Sequence, residues 1–309
     1  MNLFERVTDQ YIGRKQETRT ILAALGCCRN VFLEGPPGTS KSTVLGAIVK
    51  ELDRPLYRLV GNSDLTTAKL IGYFDPAMVI SQGYKKEFFE YGALTKAMQD
   101  GGILYIEEFN RLPEDCANIF VSAISERVLP VPRLGTVAAS DNFCVVAAMN
   151  SRADIGTLRL SGALKDRFCS IKMDYQSKAE EIDIVRQVTG EVSEALLTIS
   201  VEFCQHTRKH ADIRIGASVR GAIDLVMLMR SFIDSMDEKS QQSGRELLRL
   251  AANAALRDKI TLNEVSRLDV DELIDEIWEG LLSEWKKEHE IEWEISLDRN
   301  EKKKRVQKA

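Results

Sequence analysis

The sequence predicts an α/β domain with a parallel sheet, followed by an all-helical domain. In the first part of the chain, short apolar runs alternate with helical stretches, a pattern typical of parallel strands joined by crossover helices. After about Tyr175 the strand pattern ends, and apolar residues recur at helical spacing. We therefore expect an α/β core over residues 1–175, a helical domain over 176–285 and a charged tail over 286–309.

Five apolar runs are the candidate strands of the sheet. Each has the length and the β-branched or aromatic content of a strand that is buried on both faces. The runs are NVFLE (30–34), LYRLV (56–60), ILYIE (103–107), FCVVAAM (143–149) and CSIKM (169–173). Helices are predicted between them, most clearly at 41–52 and 113–127.

Two segments depart from this alternation. Residues 73–92 contain two extended-looking runs on either side of Ser81-Gln82-Gly83, which predicts a hairpin with a short glycine-containing loop. Residues 128–142 contain prolines that exclude a helix. Neither segment fits the pattern of a crossover helix.

Composition limits the class of protein. The chain has 309 residues, is 44% hydrophobic and carries a formal net charge of −5, which argues against a general binder of nucleic acid or of anionic membranes. It has no apolar stretch long enough to span a bilayer, and its start lacks the pattern of a signal peptide. The six cysteines show no C-x-x-C pairing. We expect a cytoplasmic protein in a reducing compartment.

The segment EGPPGTSKST, residues 34–43, is the strongest motif. It follows a predicted strand and opens a predicted helix, which is the context of a phosphate-binding loop. Gly35 and Gly38 allow the tight turns that point successive N–H groups at one anion. The other candidate contacts in the loop are Pro36, Pro37, Thr39, Ser40 and Thr43.

The end of this loop predicts ATP and Mg²⁺ as ligands. Lys41 would bridge the β- and γ-phosphates, and the hydroxyl of Ser42 would ligate Mg²⁺. The usual glycine before the lysine is replaced by Ser40, whose small side chain is compatible with the turn. The chain has no N-K-x-D element of the small GTPases, which favours ATP.

Two adjacent carboxylates end the predicted strand at 103–107. A P-loop nucleotide needs an acid at the end of a neighbouring strand to hold Mg²⁺, and Glu107 takes that position, acting through water. Glu108 is then placed to polarise the attacking water. The acid that binds the metal is more commonly an aspartate, and Glu107 is one methylene longer.

Three further polar residues follow in the order that this chemistry needs. Asn150 ends the fourth strand, where its amide could orient water beside the γ-phosphate. Arg167 stands just before the fifth strand and could reach the nucleotide of a neighbouring subunit. Arg220 lies near the start of a helix in the second domain, where it could contact the γ-phosphate.

These motifs together resemble the MoxR-type AAA+ ATPases, within the group that carries an insert in helix 2. The resemblance covers roughly residues 8–285. The segments that carry it are YIGRKQE (11–17), GPPGTSKS (35–42), YIEEFNR (105–111), AAMN (147–150), IGTLRLSGALKDRF (155–168) and GASVR (216–220).

The resemblance implies a sheet of order 5-1-4-3-2, a helical lid and a ring, usually a hexamer. Adenine would lie near Tyr11, Ile12 and Gly13, and Asn150, Arg167 and Arg220 match sensor 1, the arginine finger and sensor 2. Residues 73–92 match the helix-2 insert, and 128–142 match the insert before sensor 1. In such rings the inserts face the pore or the substrate, and the candidate contacts here are Lys85, Lys86 and Arg133.

The resemblance also implies a role in the maturation of other proteins, often with a partner that has a von Willebrand factor A domain. Four alternatives stay open. They are a ring motor on nucleic acid, a motor subunit of a metal chelatase, a GTP-using relative suggested by AAMNSRAD (147–154), and a nucleotide-bound scaffold without turnover.

Overall fold

The computed structural model describes residues 1–150, 162–235 and 244–289. The chain divides into two compact units, Met1–Tyr175 and Gln176–Ala309. Part of the motif at 155–168 and the tail from residue 290 onward lie outside the described residues. The last helix reaches His289, four residues into the segment predicted as a tail.

The first unit is an α/β domain with seventeen α-helices and strands along its described residues, besides two short 3₁₀ helices. In chain order they are α1 (Leu3–Thr8), α2 (Lys15–Gly26), β1 (Asn30–Glu34), α3 (Lys41–Leu52), β2 (Leu56–Val60), α4 (Thr67–Ile71), β3 (Gly72–Phe74), α5 (Pro76–Gln82), β4 (Phe89–Tyr91), α6 (Ala93–Asp100), β5 (Ile103–Glu107), α7 (Glu114–Ser125), β6 (Val128–Val131), β7 (Gly135–Ala138), β8 (Cys144–Met149), α8 (Gly162–Lys165) and β9 (Phe168–Lys172).

Five of these strands form one parallel sheet of order β2-β5-β8-β1-β9. Counted along the chain this order is 5-1-4-3-2, so the predicted topology is confirmed. The register pairs Glu34 with Met149 on one side and with Lys172 on the other. The carboxyl ends of these strands therefore meet at one edge of the sheet, where α/β proteins place their ligands.

Two apolar layers cover the sheet, as the continuous hydrophobic strands require. One layer contains Phe32 and Phe109 together with side chains of α6 and α7. The other contains Val31 and Leu33 together with side chains of α2 and α3. The centre strands are buried almost throughout, and Ile103, Leu104 and Ile106 of β5 are fully buried.

The segment 73–92 differs from the simple hairpin that its sequence predicts. Its antiparallel strands are β3 and β4, and the helix α5 lies between them where an extended run was expected. Asp75 explains the helix, because its Oδ1 accepts from the N–H groups of Ala77 and Met78 and Pro76 occupies the first turn. The second irregular segment is the antiparallel pair of β6 and β7, in agreement with the exclusion of a helix there.

The two inserted hairpins contact each other. The guanidinium carbon of Arg133, in the β6–β7 turn, lies 4.1 Å from the ring centroid of Tyr84, in the loop between α5 and β4. The Tyr84 ring packs edge-on against Phe74 at 5.0 Å. Cation–π and aromatic contacts of this kind each contribute about 0.5–1.5 kcal/mol.

The second unit is helical, as predicted, with one addition. Its helices and strands are α9 (Lys178–Thr189), α10 (Glu194–Lys209), β10 (Ile213–Ile215), α11 (Val219–Ser235), α12 (Gly244–Leu256), β11 (Thr261–Leu262) and α13 (Val270–His289). The addition is the antiparallel pair of β10 and β11, which is too short to show a strand period in sequence. The core of this unit includes Phe203 and Trp278, whose rings are 5.9 Å apart. Across the described residues, no helix is long and apolar enough to cross a membrane.

We predict that Phe109→Ala lowers the free energy of unfolding by about 3–5 kcal/mol, because it opens a cavity in the core. Phe109 is fully buried, and its ring contacts those of Phe32, Phe120 and Phe168. Urea denaturation measures the change, with Ile80→Ala as control because Ile80 is 87% exposed. A loss below 1 kcal/mol in Phe109→Ala would show that this aromatic cluster is not a stability centre.

Candidate nucleotide site

The predicted phosphate loop connects β1 to α3 at the carboxyl edge of the sheet. Gly35 begins it, and its N–H donates to the carbonyl of Met149 at 3.3 Å. A Cβ on Gly35 would lie 1.9 Å from the carbonyl oxygen of Met173, so a side chain cannot fit there. The loop therefore lies directly against the ends of β8 and β9.

The loop turns into α3 through a left-handed backbone at Ser40, with φ of 64°. This is the position where related loops have glycine, and the conformation explains that preference. A residue with a Cβ pays about 1–2 kcal/mol to adopt it. Ser40 thus keeps the geometry of the loop at some cost in strain. The first N–H groups of a helix lack partners within it, so the start of α3 offers donors to an anion.

Lys41 lies inside the loop. Its Nζ donates to the carbonyls of Gly35 and Pro36, both at 2.8 Å, and approaches Oγ1 of Thr39 at 3.3 Å. Thr39 is itself buried, and its hydroxyl donates to the carbonyl of Pro36 at 2.9 Å. These bonds hold a positive charge among the backbone groups that would surround a phosphate.

Ser42 and Glu107, the two residues predicted to bind Mg²⁺, lie in contact. The Ser42 hydroxyl donates to Oε1 of Glu107 at 3.0 Å, which brings the first turn of α3 against the end of β5. Hard oxygen ligands of this kind, one hydroxyl and one carboxylate, suit Mg²⁺ that also binds phosphate. The longer side chain of Glu107 therefore does reach the hydroxyl. Thr43, next in the helix, is exposed.

Tyr105 is a third member of this cluster, which the sequence analysis missed. Its hydroxyl lies 3.1 Å from the Ser42 hydroxyl, while its ring is buried in β5. Burial raises the pKa of Tyr105 to about 12, so the phenol keeps its proton at neutral pH. A signal was present in ILYIE, because a tyrosine within a buried strand needs a partner for its hydroxyl.

Glu108 leaves the strand through a left-handed backbone, with φ of 51°. Its carboxylate pairs with Arg111 at 3.1 Å, and both side chains are more than a third exposed, so the pair is weak.

Gly61, after β2, is a second residue that the sequence analysis missed. Its N–H donates to the carbonyl of Glu107 at 2.8 Å, and a Cβ there would lie 2.3 Å from the carbonyl oxygen of Glu108.

Asn150 follows β8 directly and is half-buried. The residue before it, Met149, accepts the N–H of Gly35, so Asn150 stands beside the start of the phosphate loop. This is the edge of the sheet at which Glu107 and Glu108 also emerge.

The segment predicted to lie beside adenine is tied to the end of β9. Arg14 adopts a left-handed backbone after Gly13, and its buried guanidinium donates to Glu17 at 2.9 Å and to the carbonyl of Asp174. The Tyr11 hydroxyl bonds Thr18 at 2.5 Å, and burial raises the pKa of Tyr11. Tyr11, Ile12 and Gly13 thus stand in the α1–α2 connection, fixed near the strand that adjoins β1.

Arg167 lies at the amino ends of the strands, opposite the carboxyl ends from which the phosphate loop leaves. It precedes β9, whose first residue, Phe168, pairs with Asn30 at the start of β1. The length of β1 therefore separates Arg167 from the phosphate loop by about 15 Å at about 3.3 Å per residue. The Asn30 side chain holds this end, since its Nδ2 donates to the carbonyl of Arg167 at 3.4 Å and its Oδ1 accepts from the N–H of Val145 at 2.9 Å. The Arg167 guanidinium donates to the hydroxyl of Ser125.

Arg220 is the second residue of α11 and is exposed. It belongs to the second unit, and the other predicted site residues belong to the first. Of the insert residues, Lys85 lies 5.3 Å from the centroid of the Phe88 ring and bonds Gln82 at 2.9 Å, while Lys86 begins a short 3₁₀ turn.

The fold and this loop define a P-loop nucleotide-binding core. Residues 30–168 match the sequence profile of the AAA domain, dynein-related subfamily. An uncharacterized protein of Staphylococcus epidermidis is 31% identical over 236 residues, which cover 70% of this chain and 88% of that protein. An uncharacterized protein of Staphylococcus haemolyticus is 29% identical, over 79% of this chain and 99% of that protein. The chain therefore belongs to the AAA+ ATPase family.

Solved structures share the fold. A protein of Cytophaga hutchinsonii to which ATPase activity is attributed has a TM-score of 0.50 at 20% identity, over 90% of this chain and 92% of its own. A variant of RuvB from Thermotoga maritima has a TM-score of 0.51 at 18% identity, over 80% of this chain and 71% of its own. At this identity the likeness concerns the fold alone.

We predict that Tyr105→Phe raises the Mg²⁺ concentration needed for tight nucleotide binding by about tenfold, as expected for a group that orients a metal ligand. Nucleotide binding in EDTA should be unchanged. Tyr57→Phe is a suitable control, because the Tyr57 hydroxyl also bonds a side chain, the carboxylate of Asp100, at the other end of the neighbouring strand. Titration of a fluorescent nucleotide with Mg²⁺ measures the effect. Equal Mg²⁺ dependence in the two variants would contradict the role of Tyr105.

Proposed function

We propose that this protein hydrolyses ATP with Mg²⁺ and uses the energy to remodel a protein partner, in the manner of the MoxR-type AAA+ ATPases. The contact of Ser42 with Glu107 at 3.0 Å, next to Lys41 and Glu108, carries the proposal. It assembles a cation, a pair of metal ligands and a candidate base at one edge of the sheet. Membership of the AAA+ ATPase family supports the same chemistry.

The residues present divide the reaction among themselves. The loop N–H groups and Lys41 bind the β- and γ-phosphates, and Ser42 and Glu107 hold Mg²⁺, which when bound neutralises phosphate charge. Glu108 accepts a proton from the water that attacks the γ-phosphorus. The weak pair with Arg111 leaves this carboxylate free to turn toward that water. Asn150, at the same edge, orients the water.

Arg167 acts on a neighbouring subunit. About 15 Å of strand separates it from the phosphate loop of its own chain, as judged from the rise of about 3.3 Å per residue. A guanidinium held at the opposite edge can therefore stabilise a γ-phosphate only across an interface between copies. The active form is then a ring, and we propose a hexamer in which each nucleotide lies between two subunits.

The two inserted hairpins support the MoxR assignment. One follows α4 and the other precedes β8, the positions expected of the helix-2 insert and of the insert before sensor 1. The first of them presents Ile80, which is 87% exposed, and the Lys85 and Lys86 side chains to a client. A client or a protein with a von Willebrand factor A domain is the partner that this assignment implies.

We predict that Glu108→Gln keeps ATP binding but lowers turnover at least about a hundredfold, because general-base catalysis contributes about 10²–10⁴ in rate. Steady-state hydrolysis and equilibrium nucleotide binding measure the two quantities. Glu114→Gln is a suitable control, since Glu114 is an exposed acid at the start of α7. Unchanged hydrolysis in Glu108→Gln would place the catalytic base elsewhere.

The same variant tests the remodelling role. Glu108→Gln with ATP should hold client and partner, whereas Lys41→Ala, which cannot bind the phosphates, serves as the empty control. Capture from native lysate followed by mass spectrometry identifies what is retained. A von Willebrand factor A protein or a single enzyme held by Glu108→Gln alone would support the proposal. Retained nucleic acid would favour a nucleic-acid motor and overturn it.

We predict that mixing two inactive variants, Arg167→Ala and Lys41→Ala, restores hydrolysis. In an equal mixture about a quarter of the interfaces join an intact phosphate loop to an intact arginine, if the subunits of the ring assemble at random. Turnover of the mixture, relative to each variant alone, measures the effect. If the mixture stays as inactive as its components, Arg167 does not act across an interface.

A further inference from the structure

A buried ion pair joins α9 and α10 in the second unit. Nη1 of Arg208 in α10 lies 2.8 Å from Oε1 and 2.9 Å from Oε2 of Glu181 in α9. The two side chains are 10% and 3% exposed. Gln205 adds a further donor to Glu181 at 3.3 Å. Buried pairs of this kind often stabilise a fold no more than apolar residues would, which points to a role in fixing geometry.

The ion pair continues to the loop before α11. Nε of Arg208 donates to the carbonyl of Ala217 at 2.7 Å. The backbone N–H of Ala217 donates to Oγ1 of Thr207 at 2.9 Å. Two consecutive residues of α10 therefore hold both backbone groups of Ala217, and Thr207 and Ala217 are fully buried. A Cβ on Gly216 would lie 2.6 Å from the backbone nitrogen of Arg208, so glycine is required for this approach.

This clamp, formed by Glu181, Thr207 and Arg208, lies close to Arg220. Ala217 precedes Arg220 by three residues, and the first turn of α11 is closed by the N–H of Gly221 donating to the carbonyl of Ser218 at 2.8 Å. The exposed Arg220 side chain thus starts from a backbone fixed to two other helices.

The clamp also reaches the start of the second unit. Glu181 lies in the first turn of α9, which begins with a capping box between Ser177 and Glu180. The chain enters the second unit at Gln176, immediately before this box. The entry segment and the helix that carries Arg220 are therefore connected through an exposed capping box, the Glu181–Arg208 ion pair and the bonds to Ala217.

We propose that Glu181, Thr207 and Arg208 are positioning residues for ATP hydrolysis, which fix Arg220 at the start of α11 and make it move as one body with the entry to the second unit. This inference rests on the proposed function and on the role at the γ-phosphate that the sequence predicts for Arg220. A displacement of Arg220 on hydrolysis then moves the entry segment as well, because the clamp connects the two.

The test removes one hydroxyl from the clamp. Thr207→Val keeps the volume of the side chain and deletes the acceptor for Ala217. Thr189→Val is the matched control, because Thr189 is also buried and its hydroxyl donates only within its own helix, to the carbonyl of Val185 at 2.8 Å. Each substitution is made in the wild-type chain and in Arg220→Ala, and turnover and thermal stability are measured for all variants.

We expect Thr207→Val to lower kcat by about fivefold in the wild-type chain and by less than twofold in Arg220→Ala, since coupled residues are not additive. Thr189→Val should change kcat by less than twofold in both, even at a similar loss of Tm. Thr207→Ser keeps the hydroxyl acceptor and should therefore keep the turnover of the wild-type chain. If Thr207→Val has the same effect with and without Arg220, or if Thr189→Val matches it, the proposal is wrong.

A second measurement separates this inference from the proposed function. Amide hydrogen exchange at Ala217 and Gly221 should be slow in the wild-type chain and at least about tenfold faster in Thr207→Val, but not in Thr189→Val. Absence of ATP hydrolysis in the wild-type chain would refute the proposed function, and exchange would still report on the clamp. Equal exchange in all variants would refute the clamp even if hydrolysis is found.

Discussion

The parallel order of the five core strands is the constraint on which the whole site depends. It brings the carboxyl ends of β1, β5 and β8 to one edge, where the phosphate loop, the two acids and Asn150 follow them. The same order sends Arg167, which precedes β9, to the opposite edge. One topological feature therefore separates the residues proposed to act on a subunit's own nucleotide from Arg167, which is proposed to act on a neighbour's.

Two of the residues with left-handed backbone lie at the same edge. Ser40 and Glu108 both adopt left-handed backbones that side chains disfavour, and each stands where the chain changes direction, one before α3 and the other after β5. Burial elsewhere compensates for this strain, since the sheet is covered by apolar layers on both faces. The backbone of Ser40 sets the direction in which α3 begins, and that of Glu108 sets the direction in which its carboxylate leaves β5.

The sequence was sufficient for the core and for the residues that follow strands. The strands at 30–34, 56–60 and 103–107 have the predicted bounds, because continuous apolar runs leave little ambiguity. Contacts between distant segments could not be predicted in this way. Tyr105 looked like an ordinary core residue, and the close approach of Gly61 to Glu108 depends on the pairing of β2 with β5. The helix α5 followed from the local cap at Asp75, which was overlooked in favour of β-prone residues.

Asn30 connects the start of β1 to two neighbouring segments. Its side chain joins the start of β1 to the backbone of Arg167 and to β8, while the other end of β1 leads directly into the phosphate loop. The strand is short and its three central residues are buried, so it connects these two contact points directly. In the proposed ring, one end of β1 would lie beside the subunit's own nucleotide and the other end would lie toward that of its neighbour. Such an arrangement would connect neighbouring nucleotide sites through β1.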